Sequence, residues 1–218
     1  MGNAISGSLV LIGLASLIAV PVGVLAGIYL AEFGNNRFAR LVRLSADAMT
    51  GVPSIVVGIF VYTLLVLSMR GFSALAGAVA LAILMLPTVI RSTEELLILV
   101  PDSLREAALA LGVPRWRTTL HVVLRAALPG IATGIMLAVA RAAGETAPLL
   151  FTALNNRFWS ARLDQPIASL PVQIFTYAVS PFPDWHRQAW AAALVLMLLV
   201  LLLNLGTRAL TRRRMRTQ

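Results

Sequence analysis

The chain has 218 residues, of which 59% are hydrophobic and only 12% are charged. Soluble domains have about 45–50% apolar and about 25% charged residues, so this composition excludes a soluble domain and indicates an integral membrane protein. The net charge of +9 comes from arginine alone, because the sequence contains no lysine. A P-loop needs a lysine that reaches the nucleotide phosphates, so this chain is expected to have no standard ATP site of its own.

Metal sites and enzymatic catalysis are not expected either. The sequence has no cysteine, and its two histidines, His121 and His186, fall in different segments. Without a set of nitrogen or sulfur ligands at suitable spacing, we predict no metal site and no other cofactor. Asp164 and Asp184 are too scattered in the sequence to indicate a catalytic site, and we predict that the chain is not an enzyme.

Five apolar runs are long enough to cross a membrane as helices, since about 20 apolar residues span the hydrocarbon core. They are Ser8–Leu30, Ala48–Met69, Phe72–Ile90, Gly130–Leu150 and Ala189–Thr207. We therefore predict an all-α integral membrane protein with one transmembrane domain over residues 1–218. Two G-x-x-x-G arrangements, GVLAG and GIATG, predict positions where helices pack closely.

The arginines predict which side of the membrane each connection faces. Thirteen of them follow the first, third and fifth runs, whereas four lie in the connections on the opposite side. Basic residues favour the cytoplasmic side, so we expect the N-terminus outside and the C-terminus in the cytoplasm. Residues 100–125 then form a cytoplasmic loop and residues 153–188 form an outer loop.

The cytoplasmic loop contains the sequence VPDSLREAALALGVPRWRTTLHVVL. Ser103 and Glu106 have the spacing of a capping box, which predicts the start of a helix. Gly112 suits the left-handed residue after the end of that helix, and Pro114 suits the first turn of another. We expect two short helices hinged at Gly112. They could form an amphipathic segment on the lipid surface or a docking element for a cytoplasmic partner, while their attachment to the membrane disfavours a DNA-reading role.

The same stretch resembles the EAA loop of ABC-importer permeases. In that pattern E-A-A is followed by three residues, a glycine, nine residues and I-x-L-P. Glu106, Ala107, Ala108 and Gly112 match it, whereas Arg125 occupies the position of the proline. The resemblance implies that these four residues couple the chain to a separate ATP-binding subunit.

Other segments resemble the phosphate-importer permeases of the PstA type, among them MTGVPSIVVGIF, LPTVIRSTEE, RAAGETAPLLFTAL and IASLPVQIFTYA. The resemblance extends from about residue 3 to residue 208 and implies the core of a type I ABC-importer permease. Permeases of this type usually have six spans, and we expect the five runs here to correspond to that core without the usual first helix. A start codon assigned too far downstream would explain the same observation.

The fourth run contains two charged residues, Arg141 and Glu145, in the stretch LAVARAAGETAPLLF. With a rise of 1.5 Å per residue from Gly130, Arg141 would lie about 16 Å into the span, and Glu145 would lie on the same helix face. Charges inside a membrane are costly and commonly mark a transport route. We interpret Arg141, Glu145 and Thr146 as pathway residues, and a purely structural ion pair is the alternative.

Together, these patterns predict the permease subunit of a bacterial ATP-driven phosphate importer in the inner membrane. The resemblance implies several partners: two copies of an ATPase subunit, a homologous second permease, a phosphate-binding protein on the outer face and membrane lipid, with no nucleic acid. A permease for sulfate or molybdate is one alternative. A standalone channel or secondary transporter is another, although the sequence has no convincing inverted repeat of the kind that secondary transporters often contain.

Overall fold

The computed structural model describes residues 1–160 and 162–215 of the chain, with side chains up to residue 206. The described chain is helical, and we number its helices in chain order. They are α1 Gly2–Phe33, α2 Arg37–Thr50, α3 Ser54–Met69, α4 Ala74–Ile98, α5 Asp102–Ala110, α6 Arg115–Ala143, α7 Ala147–Thr152, α8 Leu170–Ala178 and α9 Pro183–Met215. The prediction of an all-α protein is confirmed.

The centre of the bundle lies between α1, α4 and α6, where small residues let the helix backbones approach one another. A Cβ atom on Gly27 of α1 would lie only 2.6 Å from the Cβ of Thr93 in α4. On a neighbouring face of α4, a Cβ on Gly134 of α6 would overlap the Ser92 hydroxyl. Both predicted G-x-x-x-G arrangements therefore serve close helix packing, as expected from small residues at membrane helix interfaces.

Four helices in the described ranges are long and apolar enough to cross a membrane individually. They are α1, α4, α6 and the Pro183–Gly206 part of α9. The second predicted span, Ala48–Met69, does not form one continuous helix, because the helix breaks at residues 51–53. Gly51 caps α2, and Pro53 precedes the first residue of α3. The two helices meet at a bend of 108°, so only α3 continues the predicted span.

The helix that contains the fourth predicted run, Gly130–Leu150, begins before that run and ends within it. This helix is α6, which begins at Arg115 and includes a π-helical turn at Thr119–Val123. The second short helix predicted for the cytoplasmic loop is therefore the first part of a membrane-crossing helix. At the other end α6 stops at Ala143, and Pro148 lies in the first turn of the next helix, where its missing amide hydrogen costs no intrahelical bond.

The predicted outer loop, residues 153–188, contains helical structure and forms hydrogen bonds with the bundle. It contains α8, and its start folds back on the bundle: the amide nitrogens of Ala74 and Leu75 donate to the carbonyls of Gln165 and Leu163 at 3.0 and 3.1 Å. The amide of Leu170, at the start of α8, donates to the Ser8 hydroxyl in α1 at 2.8 Å. The segment therefore packs against the adjacent ends of α1 and α4.

Candidate functional site

The first candidate site is the elbow formed by α5 and the turn that follows it. The helix begins at Asp102, with Pro101 at the N-cap and no side-chain cap, so the predicted capping box of Ser103 and Glu106 is wrong. Proline has a fixed φ that suits the entry to a helix, and with Pro101 in place of Ser103 at the N-cap the helix starts two residues earlier than predicted. In contrast, the left-handed conformation predicted for Gly112 is confirmed by its φ of +79°.

The outward side of the elbow is rich in exposed apolar side chains. Leu111 is 84% exposed, and Leu104 and Trp116 are also exposed. Glu106 and Ala107 lie at the surface beside them, whereas Ala108 is buried. We call Leu104, Glu106, Ala107, Leu111 and Trp116 the elbow surface. Several large apolar side chains exposed on a short helix and the turn after it indicate an interaction site.

The inward side of the elbow is held by Arg105. Its guanidinium donates to Glu32 Oε1 at 2.9 Å and to the carbonyl oxygens of Leu97 and Val100 at 2.9 and 2.7 Å. Glu32 lies near the end of α1, and the two carbonyls lie at the end of α4. The hydrogen bonds of Arg105 therefore connect α5 to both α1 and α4.

The second candidate site lies at the break between α6 and α7. Arg141 is in the last turn of α6, and Glu145 follows the helix after the capping residue Gly144. The two side chains form an ion pair, with 3.7 Å between Arg141 Nε and Glu145 Oε1. The predicted contact is confirmed, although the predicted position inside a continuous helix is wrong, since the helix ends between the two residues.

The environments of the two charges differ. The Arg141 side chain is 54% exposed, whereas that of Glu145 is 17% exposed. Within the described part of the chain, Glu145 is the one acidic group that pairs with Arg141, so most of the five N–H donors of the guanidinium remain available. The arrangement is suited to an anion that approaches Arg141 from the exposed side.

Thr146 lies directly after this pair at the start of α7. Its carbonyl oxygen accepts from the amides of Leu149 and Leu150, both at 3.2 Å, and thereby begins the new helix. The next turn touches α3, since a Cβ on Gly58 would lie 2.7 Å from the Cα of Pro148. Arg141, Glu145 and Thr146 thus share one helix break that is supported by α3.

Comparison with known proteins identifies the family. Residues 23–216 match the family described as the binding-protein-dependent transport system inner membrane component. The chain belongs to this family. It is therefore a multi-pass membrane permease subunit, in agreement with its long apolar helices.

Several curated members of the family are similar over nearly the whole chain. The phosphate transport system permease protein PstA of Yersinia pestis is 55% identical over 211 residues, which cover 96% of this chain and 72% of that protein. PstA of Haemophilus influenzae is 53% identical, with 94% and 73% covered. PstA 1 of Mycobacterium tuberculosis strain H37Rv is 44% identical, with 94% and 67% covered.

Solved structures confirm the fold. An inward-facing crystal form of the MetNI methionine ABC transporter aligns with a TM-score of 0.76 at 19% identity, over 97% of this chain and 92% of that chain. An amino acid ABC transporter aligns with a TM-score of 0.67 at 21% identity, over 97% and 94%. The permease therefore has the predicted fold of a type I ABC importer.

Sequence patterns missed the partners of Arg105. Glu32 lies 73 residues away and ends an apolar run, where a single acidic residue gives no indication of its contact. The signal that could have found it is the charge itself, because a lone carboxylate at the end of a membrane helix needs a partner. Among the described residues, no group of three or more His, Asp or Glu side chains is placed to hold a metal ion.

Proposed function

We propose that this permease forms half of the translocation pathway of an ATP-driven importer of inorganic phosphate. The observation that carries the proposal is the 55% identity to a phosphate transport permease over 96% of the chain, a range that contains both candidate sites. ATP hydrolysis is assigned to a separate subunit, consistent with the absence of lysine from the sequence.

Phosphate would be bound in transit by Arg141. A guanidinium offers two parallel donors to the oxygens of a phosphate, and the exposed side of Arg141 leaves such donors free. Glu145, 3.7 Å away, would weaken the hold of Arg141 on the anion and favour release. Its carboxylate can also accept a hydrogen bond from a phosphate P–OH group, which sulfate does not have at neutral pH.

The elbow surface would dock on the ATPase subunit. Its exposed leucines and tryptophan supply apolar contact area, and Glu106 supplies a charge at the edge. The full assembly would contain two ATPase copies, a homologous second permease and a phosphate-binding protein on the outer face. The family description, which refers to a binding-protein-dependent system, supports the last of these partners.

Transport by the purified complex tests the proposed solute. The permease, co-expressed with its neighbouring permease and ATPase and reconstituted in vesicles with the binding protein, is expected to accumulate radiolabelled phosphate only when ATP is supplied. Excess unlabelled sulfate should leave the uptake unchanged. Accumulation of sulfate or molybdate in place of phosphate would contradict the solute, and uptake without ATP would indicate a channel or secondary transporter.

The proposed orientation has the elbow in the cytoplasm and residues 153–182 outside, as expected for an arginine excess on the cytoplasmic side. The cysteine-free sequence makes single-cysteine labelling direct. In intact cells, Phe158→Cys should react with an impermeant thiol reagent because this side chain is exposed on the outer segment. Ser103→Cys on α5 should react only after the membrane is permeabilised, and the reverse pattern would invert the proposed orientation.

A further inference from the structure

Four charged residues form a compact cluster where α2 crosses α4. Arg91 of α4 donates to Asp47 Oδ1 of α2 at 2.7 Å and to Glu94 Oε2 at 3.1 Å. Glu94 also accepts a hydrogen bond from Arg43 of α2 through its other oxygen. We call Arg43, Asp47, Arg91 and Glu94 the charge cluster. Its central member, Glu94, has a side chain that is only 4% exposed.

The charge cluster also reaches the end of α1. The Arg43 guanidinium donates to the carbonyl oxygens of Leu30 and Gly34 at 2.8 and 3.0 Å. These carbonyls lie at and just beyond the last turn of α1, where the helix has no intrahelical amide partners left. One side chain of α2 is therefore bonded to both α1 and α4.

Few apolar positions of α2 are buried. The helix has 14 residues, and its buried positions are only Ala39 and Ala46. Its larger apolar side chains, such as Phe38 and Leu44, are exposed. Beside the edge-to-face contact of Phe38 with Tyr29 of α1, the charge cluster supplies the ion pairs that connect α2 to α4, and removal of the Glu94 charge would leave two arginines without their shared partner.

Two attachments therefore converge on the same pair of helix ends. Arg105 fastens the elbow to Glu32 of α1 and to the last carbonyls of α4. Arg43 fastens α2 to α1 and, through Glu94, to α4. Beyond its 108° bend α2 continues into α3, which touches Pro148 next to the helix break of the pathway site.

We propose that the charge cluster is a positioning device that makes α2 move as one body with the ends of α1 and α4. When the elbow moves, α2 and α3 move with it. The movement is thereby transmitted to the helix break between α6 and α7 that contains Arg141, Glu145 and Thr146. Glu94 touches no solute and acts through its two arginines. The proposal rests on the proposed function, because it explains how ATPase movement reaches the phosphate pathway.

The first test compares two neighbouring glutamates of α4. Glu94 is buried and bridged, whereas Glu95 is exposed and forms no ion pair among the described residues. Glu94→Gln is expected to lower the phosphate transported per ATP hydrolysed by on the order of tenfold, a typical size for coupling between sites. Complex assembly and ATP hydrolysis should persist. Glu95→Gln should behave as the parent, and parental coupling in Glu94→Gln would overturn the proposal.

The second test measures the rigid body directly and needs no solute. Spin labels on Ser45→Cys in α2 and Leu99→Cys after α4 report the distance between the two elements, and both positions are exposed. The distance in the assembled complex should be the same without nucleotide and with trapped ATP, and it should broaden when Glu94→Gln is added. A distance that changes with nucleotide in the parent, or that stays narrow in the variant, would overturn the proposal.

These two measurements separate the proposal from the assigned solute. If the parent complex transports no phosphate, the proposed function fails while the distance measurement still decides the role of the charge cluster. If Glu94→Gln does not assemble, Asp47→Asn supplies the same readouts, because Asp47 is the exposed edge of the cluster. That variant should show a smaller loss of phosphate per ATP and a broader distance, and unchanged values for both would overturn the proposal.

Discussion

Arg141→Gln is expected to reduce ATP-driven phosphate uptake by at least about 100-fold, the loss that follows when a charge-assisted, bidentate contact to the anion is removed. The substitution should not affect assembly. Arg141 is 54% exposed and its ion pair with Glu145 is loose at 3.7 Å, so the pair contributes little to stability. The measurements are uptake in vesicles and co-purification with the partner subunits.

Arg187 provides a matched control for Arg141. It is an exposed arginine at the start of α9 and forms a similarly loose ion pair, at 3.8 Å, with Asp184. Because it lies outside the proposed pathway, Arg187→Gln should transport phosphate at the parental rate. If both variants lose phosphate uptake equally, the loss follows from removing any exposed arginine. That result would contradict a specific role of Arg141 in the pathway.

Glu145→Gln and the double variant separate a pathway role from a structural one. The single variant should slow phosphate uptake, because Arg141 would then hold the anion without a competing carboxylate, and it should raise the uptake of sulfate relative to phosphate. The double variant Arg141→Gln, Glu145→Gln leaves no unpaired charge, so a structural brace would regain activity. A pathway pair stays inactive. Phosphate uptake at the parental rate in the double variant would falsify the pathway assignment.

Gly112→Val is expected to weaken ATPase association and to uncouple hydrolysis from transport, each by on the order of tenfold. The φ of +79° lies in the region that a residue with Cβ enters only at a cost of about 1–2 kcal/mol, and a β-branched residue is more restricted still. A Cβ at this position meets no atom within 4 Å, so the expected effect comes from the backbone and not from a clash.

Two variants serve as controls for Gly112. Asn tolerates the left-handed region better than other residues, so Gly112→Asn should retain most of the ATPase association. Gly71→Val adds the same side chain at another open position, where no neighbour lies within 4 Å and φ is not left-handed, and it should not affect coupling. ATPase association is measured by co-purification of the ATPase subunit, and coupling is measured by the phosphate transported per ATP hydrolysed. Parental coupling in Gly112→Val would contradict the role of the elbow.

Hydropathy located the helices of the bundle better than it located their ends. The runs that begin at Ser8, Phe72 and Ala189 overlap α1, α4 and α9, because a membrane requires long uninterrupted apolar helices. The run from Ala48 conceals the bend before α3, and the run from Gly130 conceals the break after Ala143. A hydropathy average is insensitive to such breaks, since it reports composition over a window of residues and not the direction of the backbone.

In the candidate sites, too, the sequence determined some features and left others undetermined. Local backbone chemistry determined the left-handed Gly112, and the spacing of Glu106, Ala107, Ala108 and Gly112 indicated the family, so the sequence by itself determined the class of protein and the position of the elbow. Arg141 and Glu145 were brought together because they are four residues apart, although the break between them was not apparent.

Only the tertiary structure decided which distant charges meet. Glu32 and Arg105 are 73 residues apart, and Arg43 and Glu94 are 51 residues apart. Each pair forms because α1 and α4 end close together, where α2 and α5 lie against them. That arrangement depends on helix crossings set by close contacts such as Gly27 against Thr93. Periodicity and charge patterns along one chain do not encode those crossings, so the attachments of the elbow and of α2 became visible only in the folded permease.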